Sequence, residues 1–163
     1  MLVVDASPLI HLARVSLLEL LRDNDPTGEI VVPMVVFDEV MRGANRDPTA
    51  SLIEQATHDW LVIVPTPPPH ASLHPFKIDL GEIAVLTVAL SIPGAVVALD
   101  DLAARGEASR LGIPRTGTLR LLIDSKARGL IPSVQSPLDH LKAMGMRLSE
   151  AVYHEVLKQA GEP

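Results

Sequence analysis

The chain has 163 residues, of which 47% are hydrophobic, with a formal net charge of -6 and no cysteine. This length suits one domain with a substantial core, and the lack of cysteine excludes disulfides, thiolate metal sites and a cysteine nucleophile. The acidic charge argues against a broad electrostatic platform for nucleic acid, and two Phe, one Trp and one Tyr are too few for base stacking on an aromatic sheet.

No apolar run reaches the roughly 20 residues that a membrane-spanning helix needs. Met1 leads directly into the first predicted strand, so we expect no signal peptide. A chain without cysteine is also compatible with a reducing compartment. These features together predict a cytoplasmic protein.

The chain begins with a predicted buried strand, because Leu2, Val3 and Val4 are apolar without polar alternation. Ser7 and the proline after it suit the N-cap and first position of a helix. Asp5 then lies at the end of the strand without a structural role. Open α/β sheets place their sites at this edge, so Asp5 is a candidate functional residue, with a solvated turn residue as the alternative.

Apolar runs and turn residues divide most of the remaining chain into alternating strands and helices. The pattern predicts strands at 30–32, 60–64, 95–99 and 113–116, and helices at 8–22, 33–43, 48–58, 80–91, 101–111 and 117–129. Residues 65–75 contain five prolines and predict an extended connector. Strands separated by helices predict an α/β fold: a three-layer α/β/α domain with a short, mainly parallel central sheet.

The C-terminal part predicts two short helices with Ser136 and Ser149 as N-caps. We therefore expect residues 1–135 to form the domain and residues 136–163 to form a helical extension packed on it. The last helix carries an apolar stripe that includes Leu148, Val152 and Val156. This stripe is expected to pack on the domain or across a homodimer interface.

Two further acids lie on predicted helices. The i−4, i−3 and i+4 neighbours of Glu39 are Val35, Val36 and Gly43, none of them basic, and a carboxylate beside an apolar stripe is costly to bury without a cation. Glu82 is the only charge between Gly81 and Ser91. Its spacing from Asp79 equally suits a capping box, which leaves a structural role open for Glu82.

Asp100 and Asp101 follow a predicted strand. Asp101 can cap the next helix and pair with Arg105, so Asp100 is the freer acid. Adjacent carboxylates repel each other, and a divalent cation relieves that repulsion. Together with the three acids above, they form a set of oxygen ligands without His or Cys, which suits Mg²⁺ or Mn²⁺.

The order of these motifs resembles the PIN-domain family, metal-dependent ribonucleases that include the toxins of VapBC-type toxin–antitoxin pairs. The matching stretches are VVDAS at 3–7, VFDEV at 36–40, LGEIA at 80–84, LDD at 99–101, GIPRTGTL at 112–119 and GMRLS at 145–149. They cover nearly the whole chain, and their order and spacing are more specific than any one of them.

The resemblance implies a PIN-like fold that binds one or two Mg²⁺ or Mn²⁺ ions and hydrolyses RNA by in-line attack of a metal-activated water. It implies RNA as the substrate and a small antitoxin protein as a partner. By position, it assigns metal ligation to Asp5, Asp100 and Asp101, a catalytic pocket completed by Glu39 and Glu82, and contacts with a carboxylate or the substrate phosphate to Ser7 and Thr116.

Two departures from the toxin pattern leave alternatives open. Many of these toxins have Asp where this chain has Glu82, and their fourth motif has Thr, one residue, then an acid or Asn. The choice between Asp100 and Asp101 as the main ligand therefore stays open. The alternative function is a PIN-like binding module that cleaves weakly or not at all, which the acidic net charge favours. A response-regulator receiver fits less well, because its acid pair follows the first strand.

Overall fold

The structure is a computed structural model, and it describes residues 1–43, 49–74 and 78–163. Its strands are β1 (Leu2–Val4), β2 (Ile30–Pro33), β3 (Leu61–Val64), β4 (Val96–Ala98) and β5 (Arg115–Thr116). In the described ranges its helices are α1 (Ala6–Arg14), α2 (Leu20–Asp23), α3 (Met34–Gly43), α4 (Thr49–Ala56), α5 (Leu80–Ser91), α6 (Leu102–Arg110), α7 (Thr118–Ala127), α8 (Gln135–Ala143) and α9 (Glu150–Gln159).

The strands form one parallel sheet in the order β3-β2-β1-β4-β5, flanked by helices, which confirms the predicted α/β fold. Strand β1 is central, and its Val3 is in register with Val31 of β2 and Val97 of β4. After β1, the chain places β2 and β3 on one side of this strand. It then places β4 and β5 on the other side. Parallel sheets that reverse direction in this way have a crevice at the switch point, here between the ends of β1 and β4.

Helix α5 spans the sheet and explains its own apolar sequence. It contacts β1, β2 and β4, and it also contacts α3. A helix with neighbours on several sides needs apolar residues all around, and the described burial extends from Gly81 to Ala89. Glu82 is the one charged residue in that stretch, and it lies in the first turn, next to the crevice. No helix in the described part of the chain is both long and apolar enough to cross a membrane.

The predicted first helix is two helices in the structure. Helix α1 ends at Arg14, and Ser16 has a φ of 56°, a left-handed value that interrupts the helical run before α2. Pro33 was predicted to open the next helix, but it is the last residue of β2 because it still pairs with Val64. Pro48, the predicted start of another helix, lies outside the described residues.

The C-terminal helices contribute side chains to the core. Helix α9 contacts α7, and its Val156 and Leu157 are buried, while Val152 stays 43% exposed. Ser149 caps α9 as predicted, since its side chain accepts a hydrogen bond from the Val152 N–H. Ser136 is not a cap, because α8 already begins at Gln135.

The end of the chain caps α8 instead. The carboxylate of Glu162 accepts hydrogen bonds from the backbone N–H groups of Val134 and Gln135, at 2.6 Å and 2.8 Å. It also forms an ion pair with Lys126 of α7, at 2.7 Å. A side chain at position 162 therefore ties α8 and α7 together.

Candidate active site

Three carboxylates from separate segments meet at the crevice. Asp5 follows β1, Glu39 lies in α3, and Asp79 precedes α5. A Cβ built on Gly81 would lie 3.4 Å from Asp5 Oδ1, 3.4 Å from Glu39 Oε2 and 3.3 Å from Asp79 Oδ1. Because Gly81 has no side chain, the three oxygens border a common space. We call these three residues, with Glu82 beside them, the acid pocket.

Asp5 is buried at the end of β1 with only 6% of its surface exposed. It occupies the N-cap position of α1 without a capping hydrogen bond to its side chain, and its own N–H donates to the Ala98 carbonyl at 3.2 Å. Ser7 was predicted to be the cap and is not, because the helix already begins at Ala6. The carboxylate of Asp5 is thus free of the structural role that a cap would give it.

The pKa of Asp5 is raised to about 7. Burial is the largest cause, the hydrogen bond from the Ala6 N–H lowers the pKa, and the negative charges of Asp79, Glu82 and Glu39 raise it. Burial followed by the charge of Asp79 likewise raises the pKa of Glu39, which Arg42 partly offsets. These side chains are therefore close enough to repel one another when ionised.

Glu82 forms the capping box considered from the sequence and also lies beside the other acids. Its backbone N–H donates to Asp79 Oδ1 and its Oε2 accepts from the Asp79 N–H, both at 2.9 Å, which confirms the capping box. The pKa of Glu82 is also raised to about 7, with burial as the largest cause. The hydrogen bond from the Asp79 N–H lowers the pKa, and repulsion from Asp79, Asp101 and Glu39 raises it. A structural cap in this chain is thus also part of the acid pocket.

The chemistry of the acid pocket fits a hard divalent cation. Its donors are all carboxylate oxygens, the type that Mg²⁺ and Mn²⁺ prefer, and a cation would relieve the repulsion among them. The N-terminus of α5 also points a favourable partial charge toward these anions. Over residues 1–43, 49–74 and 78–163, however, no three acidic or histidine side chains form a ready-made ligand set.

Asp100 lies across the crevice and is held by three contacts. Its Oδ1 accepts from the Thr118 N–H at 2.8 Å, and its Oδ2 accepts from Thr118 Oγ1 at 2.6 Å and lies 2.9 Å from His11 Nδ1. Burial acts to raise the pKa of Asp100, but the hydrogen bonds from His11 and Thr118 outweigh it and hold the pKa below its usual value. The interpretation of Asp100 as the freer acid is therefore wrong.

Asp101 caps α6, as predicted. Its Oδ1 accepts from the N–H groups of Ala103 and Ala104 at 2.7 Å and 3.0 Å. The predicted pair with Arg105 does not form. Arg105 Nη1 donates instead to the carbonyls of Leu99 and Thr116, at 3.1 Å and 3.3 Å, and so joins the ends of β4 and β5.

The two predicted hydroxyl contacts are not made to any carboxylate. Ser7 is the second residue of α1, and the Thr116 hydroxyl is buried without a hydrogen-bond partner among the described residues. The residue that orients Asp100 is Thr118, two positions later. A role for Ser7 or Thr116 toward a phosphate stays a prediction.

Three residues of the site were missed or given another role from the sequence. Asp79 was interpreted only as a helix cap, and the capping box does hide its position beside Asp5. Thr118 could have been found, since β5 pairs with β4 and so brings the start of α7 beside Asp100. His11 is 89 residues from Asp100 and gives no such signal.

Comparison with known families gives one finding. The family model DUF3368, described as a PIN domain, matches residues 1–162. A search of curated proteins found no match. The family match spans every segment that contributes to the acid pocket and to the surroundings of Asp100.

Proposed function

Because the chain belongs to the PIN-domain family, whose members are generally nucleases, we propose that it is a ribonuclease dependent on Mg²⁺ or Mn²⁺. The observation that carries this proposal is the acid pocket, where oxygens of Asp5, Glu39 and Asp79 border the space beside Gly81. Packing of the core does not require such a group, and burying several carboxylates costs free energy unless a cation compensates for it. A cation-dependent reaction explains why the fold brings them together.

In this proposal the acid pocket supplies the first oxygen ligands. Asp5, Glu39 and Asp79 would hold the ion directly or through water, with Glu82 beside them. A bound Mg²⁺ or Mn²⁺ would neutralise charge on the phosphate and make a bound water more acidic. Without the ion, the same carboxylates repel the phosphates of RNA, so the protein's own charges make both binding and hydrolysis depend on it.

Asp100 would act from a fixed position opposite Asp5. Its Oδ1 accepts one hydrogen bond, and a carboxylate oxygen can accept two, so one lone pair stays available to a ligand. Thr118 and His11 would keep that oxygen from rotating away. Asp101 has its carboxylate engaged by two helix N–H groups, so we now favour Asp100 over Asp101 as the ligand.

The direct test is cleavage of a labelled RNA of mixed sequence by the purified protein in Mn²⁺ and in EDTA. We expect cleavage only with Mn²⁺, and we expect Asp5→Asn to abolish it. Asp59→Asn, which changes an exposed aspartate outside the acid pocket, is the matched control and should cleave as wild type does. Cleavage by Asp5→Asn at the wild-type rate would contradict the proposed site.

We further propose that the protein is the toxin of a toxin–antitoxin pair, forms a homodimer and binds a small antitoxin protein. The support is the set of sequence motifs that resemble VapBC-type toxins. Expression of the wild-type chain alone should then arrest growth, while Asp5→Asn should not. Light scattering of the purified protein should give the mass of a dimer.

The net charge of -6 favours a second candidate, a PIN-like binding module without appreciable cleavage. The same cleavage assay decides between them. A purified, folded protein that binds Mn²⁺ and fails to cleave any RNA would support the binding module. Manganese-dependent cleavage that disappears in Asp5→Asn would exclude it.

A further inference from the structure

A groove extends from Asp100 to helix α9. It encloses about 420 Å³, within the range of about 300–1,000 Å³ that is usual for ligand sites. Three arginines line it: Arg105 from α6, Arg120 from α7, and Arg147 from the segment before α9. We call this feature the arginine groove. It begins in the same crevice as the proposed nuclease site, because Asp100 belongs to both.

The charge of the arginine groove differs from that of the whole chain. The chain has 14 Lys and Arg against 20 Asp and Glu, while the groove is lined by three arginines and the single carboxylate of Asp100. An arginine guanidinium can donate two parallel hydrogen bonds to a phosphate. The groove therefore offers the positive charge that the neighbouring acid pocket lacks.

Two of the three arginines are available to a ligand. Arg147 is exposed and forms no ion pair or hydrogen bond with a residue that the structure describes. Arg120 pairs with Asp124 through two contacts of 2.9 Å, Nε to Oδ2 and Nη2 to Oδ1. The two side chains are 61% and 38% exposed, and i,i+4 pairs on a helix surface contribute little, so a phosphate can replace Asp124. Arg105 already donates to two backbone carbonyls, so its guanidinium is fixed at the end of the groove nearest β4.

The arginine groove is also lined by apolar side chains, among them Leu119 and Ile123 of α7 and Val156 of α9. Bases of a single strand can lie against an apolar surface, whereas those of a duplex are stacked inside the helix. A groove with both apolar and cationic side chains thus suits a single strand, which presents both bases and phosphates.

We propose that the arginine groove binds the backbone of a single-stranded RNA next to the acid pocket, with Arg120 and Arg147 contacting phosphates. This inference rests on the proposed ribonuclease function. It explains how an acidic protein retains an RNA whose phosphates the acid pocket repels. It commits to RNA over an acidic protein segment because the groove opens onto the proposed nuclease site.

The test measures binding without cleavage. A labelled single-stranded RNA is titrated in EDTA with protein carrying Asp5→Asn, and fluorescence anisotropy gives Kd at several salt concentrations. Each phosphate contact to a single strand contributes about 0.7 to the slope of log Kd against log salt. Adding Arg120→Ala and Arg147→Ala should therefore weaken binding and reduce that slope by about 1.4. Arg147→Ala alone, which removes an exposed side chain, should reduce it by about 0.7.

The matched control removes two positive charges elsewhere. Arg128 and Lys158 are exposed and do not line the groove, so Arg128→Ala with Lys158→Ala should leave the slope as in the parent. Equal slopes in the groove and control variants would overturn the proposal, as would a parent that does not bind the single strand at low salt. Binding of an acidic peptide but not RNA would overturn it too.

This design separates the two proposals. If the wild type does not cleave RNA but the groove variant loses RNA binding, the groove stands and the ribonuclease function fails. If the wild type cleaves RNA and the groove variant binds and cleaves equally well, only the groove fails.

Discussion

The carboxylates of Asp5, which is buried, and of Glu162, which is half-buried, have opposite surroundings. Burial acts to raise the pKa of both, but Lys126 and the backbone N–H groups of Val134 and Gln135 lower that of Glu162 to about 2. Asp5 has no comparable set of donors, and its pKa rises to about 7. The same fold therefore surrounds the carboxylate of Glu162 with donors, and it does not do so for Asp5.

This difference determines how each kind of carboxylate affects the stability of the native state. A carboxylate surrounded by donors stabilises the native state in its ionised form. A carboxylate surrounded by other carboxylates destabilises it until a proton or a cation arrives. Asp100 lies between these cases, because His11 and Thr118 hold it while one lone pair of Oδ1 stays open.

The largest expected change in stability comes from removing the paired acid. Glu162→Ala leaves Lys126 and two helix N–H groups without their acceptor, so it should lower the free energy of unfolding by about 2 kcal/mol. Chemical denaturation measures this directly. The control Glu155→Ala, at an exposed position of α9, should stay within about 0.5 kcal/mol of wild type. If Glu162→Ala leaves the free energy of unfolding unchanged, Glu162 is not a stabilising acid and the contrast with Asp5 fails.

The next largest effect is expected in the way the stability of the metal-free protein changes with pH. The pKa values of Asp5 and Glu82 are about 7 in the folded state, against about 3.9 and 4.3 in an unfolded chain. The folded state thus binds more protons between about pH 4 and pH 7, and stability falls as pH rises through this window. In EDTA the melting temperature should be higher near pH 5.5 than near pH 8. The difference should be roughly 2–4 °C for each kcal/mol by which the free energy of unfolding differs between the two pH values.

Variants and metal sharpen that measurement. Asp5→Asn should flatten the fall in melting temperature, because it removes one of the two groups that bind the extra protons. With saturating Mn²⁺, the melting temperature of the wild type should instead rise with pH. Metal ligands must be deprotonated, so the affinity of the protein for Mn²⁺ increases as the pH rises. Equal pH profiles for wild type and Asp5→Asn in EDTA would show that Asp5 does not titrate in this window.

The smallest change in the metal-free protein is expected from Gly81→Ala. The three atoms nearest to the new Cβ are carboxylate oxygens, at 3.3–3.4 Å, and alanine is favoured over glycine in a helix by up to about 1 kcal/mol. Melting in EDTA should change little, while the stabilisation by Mn²⁺ should be lost because the methyl group occupies the space between the carboxylates.

Gly106→Ala is the matched control for Gly81→Ala. Gly106 lies in α6 with nothing within 4 Å of a Cβ, so this change should leave the Mn²⁺ effect intact. Retention of a full Mn²⁺ effect in Gly81→Ala would indicate that the space beside Gly81 is not where the cation binds.

The layers and strands could be predicted because apolar runs and turn residues determine them locally. The runs at Leu2–Val4 and Val96–Ala98 are short, apolar and rich in valine, which favours a buried strand. The break near Ser16 could not be predicted, because serine is not a residue that signals a left-handed backbone. The cap of α8 by Glu162 depends on contacts between segments 28 residues apart, which no local pattern shows.

The candidate site was predictable to the extent that it follows from the edge of the sheet. Strand ends of a parallel sheet meet there, which is why Asp5 and Asp100 were chosen. The partners that decide how each acid behaves come from elsewhere in the chain. His11 and Thr118 make Asp100 a held carboxylate, while Asp79 joins the acid pocket although its sequence context is that of a helix cap.

The central claim, that the acid pocket serves a cation, is tested most directly by melting wild type and Asp5→Asn in EDTA and in Mn²⁺. Removing one charge relieves repulsion in the metal-free protein, so Asp5→Asn should be at least as stable as wild type in EDTA. It should gain less stability from Mn²⁺, because a ligand stabilises in proportion to its affinity for the folded state. Asp59→Asn should behave as wild type in both conditions. A loss of about 1 kcal/mol by Asp5→Asn, equal with and without Mn²⁺, would instead identify Asp5 as a structural residue and contradict the claim.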